Sequence, residues 1–365
     1  MKRNKKILFV AHHRLDRSPG QRYRFEQYFS YLSENGVSCE LANIISEKDD
    51  QILYNSYNYI KKGLIALNAY RKRYLNYKNI KNYDLIVLYR EAVLTRSVVF
   101  EKLFASSGVP LVFDFDDAIW IKDVSKVNRS ISFLKNEKKI EKILPLCTHV
   151  TCGNDYLKNY ALKFNSNVTI LPSTVNTDLY KPMNLNGHSG KVKIGWVGSH
   201  TTIKHFQKII NVYKLLKKKY GDKISFKVIG DPNYKNEELN IVGVPWDNNT
   251  EVELFNSFDI GVMPLPRDNW TEGKCGMKGL LYMSTAKPAV VSNIGANNDI
   301  IENGVNGFLC NGEDQWFNVL SELIENDQLR KQIGDQGRKT VVNKYSTLSQ
   351  RDNYLNLYLS LINKQ

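Results

Sequence analysis

Long apolar runs are missing from this 365-residue chain. No stretch approaches the roughly 18 to 20 consecutive apolar residues that a membrane-spanning helix needs. The N-terminus, MKRNKKILFVAHHR, carries only five apolar residues ahead of His12 and His13. That is too short for the apolar core of a secretion signal, and it reads as a first β-strand over Lys6 to Ala11. Cysteine is equally sparse: Cys39, Cys147, Cys152, Cys275 and Cys310 are scattered, with no CxxC pair and no Cys/His cluster at zinc spacing. Reduced thiols in a cytosolic protein follow from that usage. Acid is absent from 51–82, a segment with seven Lys or Arg residues and six tyrosines. Three readings of it stand: a solvated helical pair covering a sheet face, an interfacial patch for anionic lipid, and an RNA-binding surface. No recognised nucleic-acid motif accompanies the last.

What the chain has in excess is positive charge. Lys and Arg total 51 against 37 Asp and Glu, a net charge of +14, which predicts attraction to anions without saying which ones. The length suits two domains of ordinary size. Short apolar runs alternate with stretches at helical period, the mark of parallel βαβ units. KILFVA, DLIVLY (84–89), PLVFDF (110–115), HVTCG (149–153) and VTILP (168–172) are predicted as buried strands of a first half. Between the first two, a helix is expected over QRYRFEQYFSYLSENG, with Tyr23, Phe25, Tyr28, Phe29 and Leu32 on one face. Polar residues at 183–190 mark a linker within a 173–190 hinge, after which KIGWVG, SFKVIG, IGVMPL and PAVVSN repeat the pattern. Domains of 1–182 and 183–345 are therefore predicted, with a final helix over 346–365 returning to the first.

The segment after IGVMPL can hold a phosphate. It runs from a strand end through a loop with Gly273 and Gly276 into a helix predicted to start near Gly276. A helix N-terminus presents unpaired N–H groups and partial positive charge, and Lys274 and Lys278 flank this one. Glycine there lets backbone approach a ligand closely. In open α/β sheets, ligands sit in loops at strand C-terminal ends.

From Lys278, the run KGLLYMSTAKPAVVSNIGANNDIIENGVNGFL resembles the donor-site core of glycosyltransferase family 4, the group 1 glycosyl transferases. VKIGWVGSHTTIKHF and VTILPSTVNTDLYKP are similar to its second-domain first strand and interdomain segment. The resemblance is strong after about residue 165 and weaker before it. It implies the α/β GT-B architecture: two Rossmann-like domains facing across a cleft, with the C-terminal helix packing back on the first. It also implies metal-independent transfer of a sugar, with retention, from a nucleoside-diphosphate donor, UDP above all, and no further cofactor. The acceptor is expected to be a saccharide or lipid-linked, in bacterial surface polysaccharide synthesis. The protein is then expected in the cytoplasm, with residues 51–82 touching an anionic inner membrane face.

The family's basic pair after the first strand of domain two falls on Ser199 and Lys204, so only the lysine is kept. Its diphosphate-binding turn falls on Gly276 and Met277. Its paired glutamates fall on Gly273 and Leu281, with Glu272 beside the first, so the usual ribose contact is absent or supplied elsewhere. In the first half, the resemblance sets the loop bearing Gly20 near donor phosphate or acceptor. Arg22 and Arg24 either meet an anion there or project from the first turns of a surface helix. His12 and His13, at a strand end, are site or structural residues. Asp114, Asp116 and Asp117 follow a strand, where they can bind a cation or orient a hydroxyl. Alternation sets Asp117 on the opposite side from Asp114 and Asp116. Asp116, Asp117 and Lys204 are the catalytic candidates. Two other classes stay open: a GT-B sugar-nucleotide epimerase, and a degenerate binding subunit.

Overall fold

In a computed structural model, the protein is described over residues 4–53, 58–121, 138–184, 190–247 and 249–364. Part of the basic segment and part of the polar linker lie outside those residues. The chain divides into two compact units, Met1–Ser173 with Gln350–Gln365, and Thr174–Ser349.

The first unit is built on a parallel six-stranded sheet of order β2-β1-β3-β4-β5-β6: β1 (Lys5–Ala11), β2 (Val37–Asn43), β3 (Leu85–Tyr89), β4 (Leu111–Phe115), β5 (His149–Cys152) and β6 (Val168–Ile170). Residues Ile7 to Ala11 are all fully buried, which explains their unbroken apolar run: a parallel strand is covered on both faces. Strand β2 was not legible in SCELAN, where alternating exposed and buried positions dilute the apolar signal of an edge strand. The long helix expected after β1 is instead a bent path of helix Pro19–Arg24, a 3-10 turn Glu26–Tyr28 and helix Phe29–Glu34. Tyr23, Phe25, Tyr28 and Leu32 are nonetheless buried. Against this sheet packs the last helix, Thr347–Ile362: Tyr354, Leu355, Tyr358, Leu361 and Ile362 share a core with Ile7, Phe9 and Tyr28. Tyr354 stacks on Tyr28 at 4.1 Å between ring centroids.

The second unit carries a parallel five-stranded sheet of order β13-β12-β11-β7-β8, from β7 (Val192–Val197), β8 (Ile224–Ile229), β11 (Ile260–Met263), β12 (Ala289–Ser292) and β13 (Phe308–Cys310). A small antiparallel ribbon, β9 (Lys235–Asn236) with β10 (Ile241–Val242), packs beside β8, where Val244 bridges Ile229. Both sheets reverse direction of growth beside their first strand. The switch falls between β1 and β3 in one unit and between β7 and β11 in the other. Crevices outside strand C-termini at such points are where α/β sheets bind ligands.

Candidate functional site

In the second unit, the loops after β7 and β11 flank the switch point. Asp268 caps the short helix Asn269–Glu272, accepting from the Thr271 N–H at 2.8 Å, which pins the loop that follows. The chain then turns at Gly276, whose φ of +67° suits glycine, and enters helix Met277–Ser284. A β-carbon at Gly276 would stand 2.4 Å from Ile300 Cδ1, a side-chain end that can shift, so the backbone angle rather than space is what favours glycine.

Around this turn the chain gathers cations and rings. Lys274 Nζ lies 3.5 Å from the centroid of Trp270, and Lys278 Nζ 4.6 Å from that of Trp196. The charges of Lys278, Lys204 and Lys274 all act on His205, which is buried with its ring centroid 5.9 Å from that of Trp270. Burial first, and then those lysines, push His205 down to about 4, so it is a neutral imidazole at physiological pH. Its Nε2 is buried, with no hydrogen-bond partner among the described residues. Burial, reinforced by Lys274, pulls the Lys278 ammonium down to about 7. Sequence reading placed three of these lysines but missed His205, which sits one residue after Lys204 and carries no signal until the fold sets it beside Trp270.

The other second-unit candidates divide. Ser199 is exposed, its Oγ 2.8 Å from Thr201 Oγ1. Glu272 accepts from the Gly295 N–H at 3.0 Å and thereby ties the β11 loop to the β12 loop. Gly273 and Leu281 are both buried. The Leu281 side chain faces the core and offers nothing to a ribose.

The first-unit candidates meet at the other switch point. Gly20 lies so near Tyr89 that a β-carbon would stand 2.3 Å from its hydroxyl and 3.4 Å from Asp116 Oδ2. Tyr89 Oη donates to Asp116 Oδ1 at 2.8 Å, and Arg90 donates to the same oxygen at 3.0 and 2.7 Å. Arg90 reaches there from a left-handed backbone, φ +64°, unusual for a side chain of this size, and lies 3.7 Å from Asp117. Burial raises the Asp116 carboxyl, but Arg90 and Arg24 overcome it and hold the group below its usual range. Asp116 is thus an ionised carboxylate within a fixed network. Arg22 lies over the Tyr23 ring at 4.9 Å.

Two expectations fail here. Arg24 is not available to an anionic ligand: fully buried, it donates to both oxygens of Asp114 and to the Leu171 carbonyl. Asp114 in turn accepts from Thr151 Oγ1 at 2.6 Å, so it belongs to the core rather than to the Asp116 network. His12 is held neutral by burial and the charge of Arg73, while the His13 N–H donates to Gln21 Oε1 at 2.9 Å.

Residues 191–326 match the family model described as "Glycosyl transferases group 1". That match lies within the second unit and covers under half of the chain. A glycosyltransferase of Staphylococcus aureus named for capsular polysaccharide biosynthesis, CapM, is 26% identical over 168 residues, 42% of this chain and 42% of its own length. The chain therefore spans under half of that relative. A poly(ribitol-phosphate) alpha-N-acetylglucosaminyltransferase of Staphylococcus aureus is 24% identical over 91% of this chain and 71% of its own. Among solved structures, a glycosyltransferase of Rickettsia africae superposes with a TM-score of 0.69 at 16% identity, covering 99% of this chain and 100% of that one. A protein of Anabaena, in complex with UDP and glucose, gives 0.66 at 13% identity over 98% and 100%. These likenesses establish the GT-B fold for the chain. Among the described residues, no helix is long and apolar enough to cross a membrane.

Proposed function

We propose that this group 1 glycosyl transferase moves a sugar, with retention, from a nucleoside-diphosphate donor to a saccharide or lipid-linked acceptor in bacterial surface polysaccharide synthesis. The observation that carries the reading is the cationic cluster of Lys204, Lys274 and Lys278 around neutral His205, at the switch point of a unit matching this family. The names of the Staphylococcus relatives motivate the polysaccharide setting, and the UDP of the Anabaena neighbour motivates a uridine nucleotide.

In the reaction, the bond from the anomeric carbon to the β-phosphate oxygen breaks and its electron pair leaves with the diphosphate. The acceptor hydroxyl bonds the same carbon from the same face, and its proton passes to the departing phosphate. The lysines and the Gly276–Met277 amides stabilise the developing charge without a metal ion. Asp116, ionised and fixed by Tyr89 and Arg90, and Asp117 beside it orient hydroxyls of the acceptor or the sugar. The buried Leu281 leaves ribose recognition to groups other than the family's second glutamate.

A panel of nucleotide sugars assayed with Lys204→Ala and Gly276→Ala tests the site. Each variant is expected to lose about 100-fold or more in kcat, the scale of removing one preorganised charge-stabilising group. Wild-type turnover in both would remove these residues from the site. Calorimetry with nucleoside diphosphates addresses the degenerate-subunit alternative, since failure to bind any of them would favour a scaffold.

A further inference from the structure

Helix Tyr59–Lys78 has two apolar sides, and the fold uses one of them. Ala69 and Arg73 are buried against the first unit, where the Arg73 guanidinium donates to the carbonyls of Ala11, Ala42 and Ala92 at 2.7 to 2.8 Å. That bonding fixes which side of the helix faces the sheet. The opposite side carries Ile60, Leu64, Leu67, Arg71, Tyr74, Leu75 and Lys78. At about 100° per residue these fall within a stripe roughly 100° wide, and its apolar members span about 22 Å of helix. Exposure is high: Ile60 83%, Leu64 60%, Leu67 68%. Leu94 is also exposed in the neighbouring loop, which Tyr70 ties to the helix through Thr95 Oγ1 at 2.8 Å, as is Val99 at the start of helix Val99–Ala105.

The charge carried by the helix itself has one sign. Lys61, Arg71, Lys78 and Lys81 are exposed on or beside it, and no acid occurs between residues 51 and 82. The acids of the preceding helix Glu47–Leu53 are partly neutralised, with Asp50 held by Arg14 and Arg17 and Glu47 within 3.7 Å of Arg14. Lys78 Nζ lies 5.1 Å from the Tyr74 ring centroid, so a basic head rides over an amphipathic ring at one end of the stripe. A bare protein partner would suit the leucines, but it would not ask for cations among them with no acid interspersed.

We infer that this stripe docks flat on an anionic bilayer surface, with Ile60, Leu64, Leu67 and Leu75 entering the headgroup layer and the Lys and Arg heads meeting lipid phosphates. Apolar burial and attraction to anionic headgroups add in such a helix, and the electrostatic share weakens with salt. This surface lies outside the nucleotide cluster, so its test needs neither donor nor acceptor.

The full chain is sedimented with vesicles of phosphatidylcholine alone and of phosphatidylcholine with phosphatidylglycerol. Binding is expected only with the anionic vesicles, at least tenfold weaker at 0.5 M salt than at 0.1 M. The double variant Leu64→Glu with Leu67→Glu, at exposed positions, is expected to lose at least tenfold with an unchanged circular dichroism spectrum and melting temperature. Arg71→Gln with Lys78→Gln should weaken binding severalfold while keeping the apolar contact. Equal binding to neutral vesicles, or full binding by the leucine variant, would overturn the inference. So would a concentration-dependent dimer that the leucine variant dissolves, in a protein that ignores both kinds of vesicle.

Discussion

Lys278 carries a consequence that a surface lysine would not. Burial and the neighbouring charge of Lys274 hold it near pH 7, so in the free protein it is only partly protonated at neutrality. A diphosphate placed against it raises that value again, and the protein must then take up a proton on binding. The sign follows: below pH 7 the ammonium is already formed and affinity is independent of pH from this source. Above pH 7, log Kd worsens by up to about one unit per pH unit until the pKa of the bound form is passed. Calorimetry of a nucleoside diphosphate in two buffers of different ionisation heat, at pH 8, should report this uptake in the wild type and lose it in Lys278→Met. Equal uptake in both would assign the proton to another group. The neutral imidazole of His205, by contrast, stays unprotonated above about pH 5 and adds no second inflection there.

The elements of the first unit are joined by buried charge as well as by apolar packing. Arg24, on the helix after β1, reaches Asp114 on β4 and the carbonyl of Leu171 after β6, while Thr151 on β5 also donates to Asp114. Removing the acid alone leaves an uncompensated buried guanidinium. Asp114→Ala is expected to destabilise the unit by about 3–5 kcal/mol in urea denaturation. A smaller loss would mean that Arg24 finds water or swings out. The C-terminal helix makes a comparable contribution by apolar means. Tyr354→Ala removes a stacked ring from the shared core and should cost about 3 kcal/mol or more, although residue 354 lies far from β1 in sequence. Near-native stability in that variant would mean that the helix is dispensable to the first core.

At the scale of the whole molecule, the proposed reaction has a stereochemical readout that separates it from the epimerase and scaffold alternatives. Proton NMR of the product made from an α-linked nucleotide sugar should show an α-glycosidic bond, the result of same-face attack. A β product would replace the mechanism with a single inverting displacement. An epimerised nucleotide sugar with no transfer would replace the function itself.

Much of the architecture lay open in the sequence because a parallel strand covered on both faces must be an apolar run. KILFVA, PLVFDF and PAVVSN announced themselves for that reason, and the glycine turn before Met277 was equally plain, since few other residues suit a left-handed φ there. Edge strands β2 and β13 were hidden by being short or half exposed. In the second-unit cluster, sequence supplied the lysines but not their company, and in the first unit Arg90 carried no signal as a partner of Asp116. Only the tertiary structure separated Arg24, consumed by Asp114 in the core, from Arg90, held in a left-handed backbone to grip Asp116. It alone set His205 among three lysines, because burial and through-space charge depend on which loops a sheet brings together, and no local pattern encodes that.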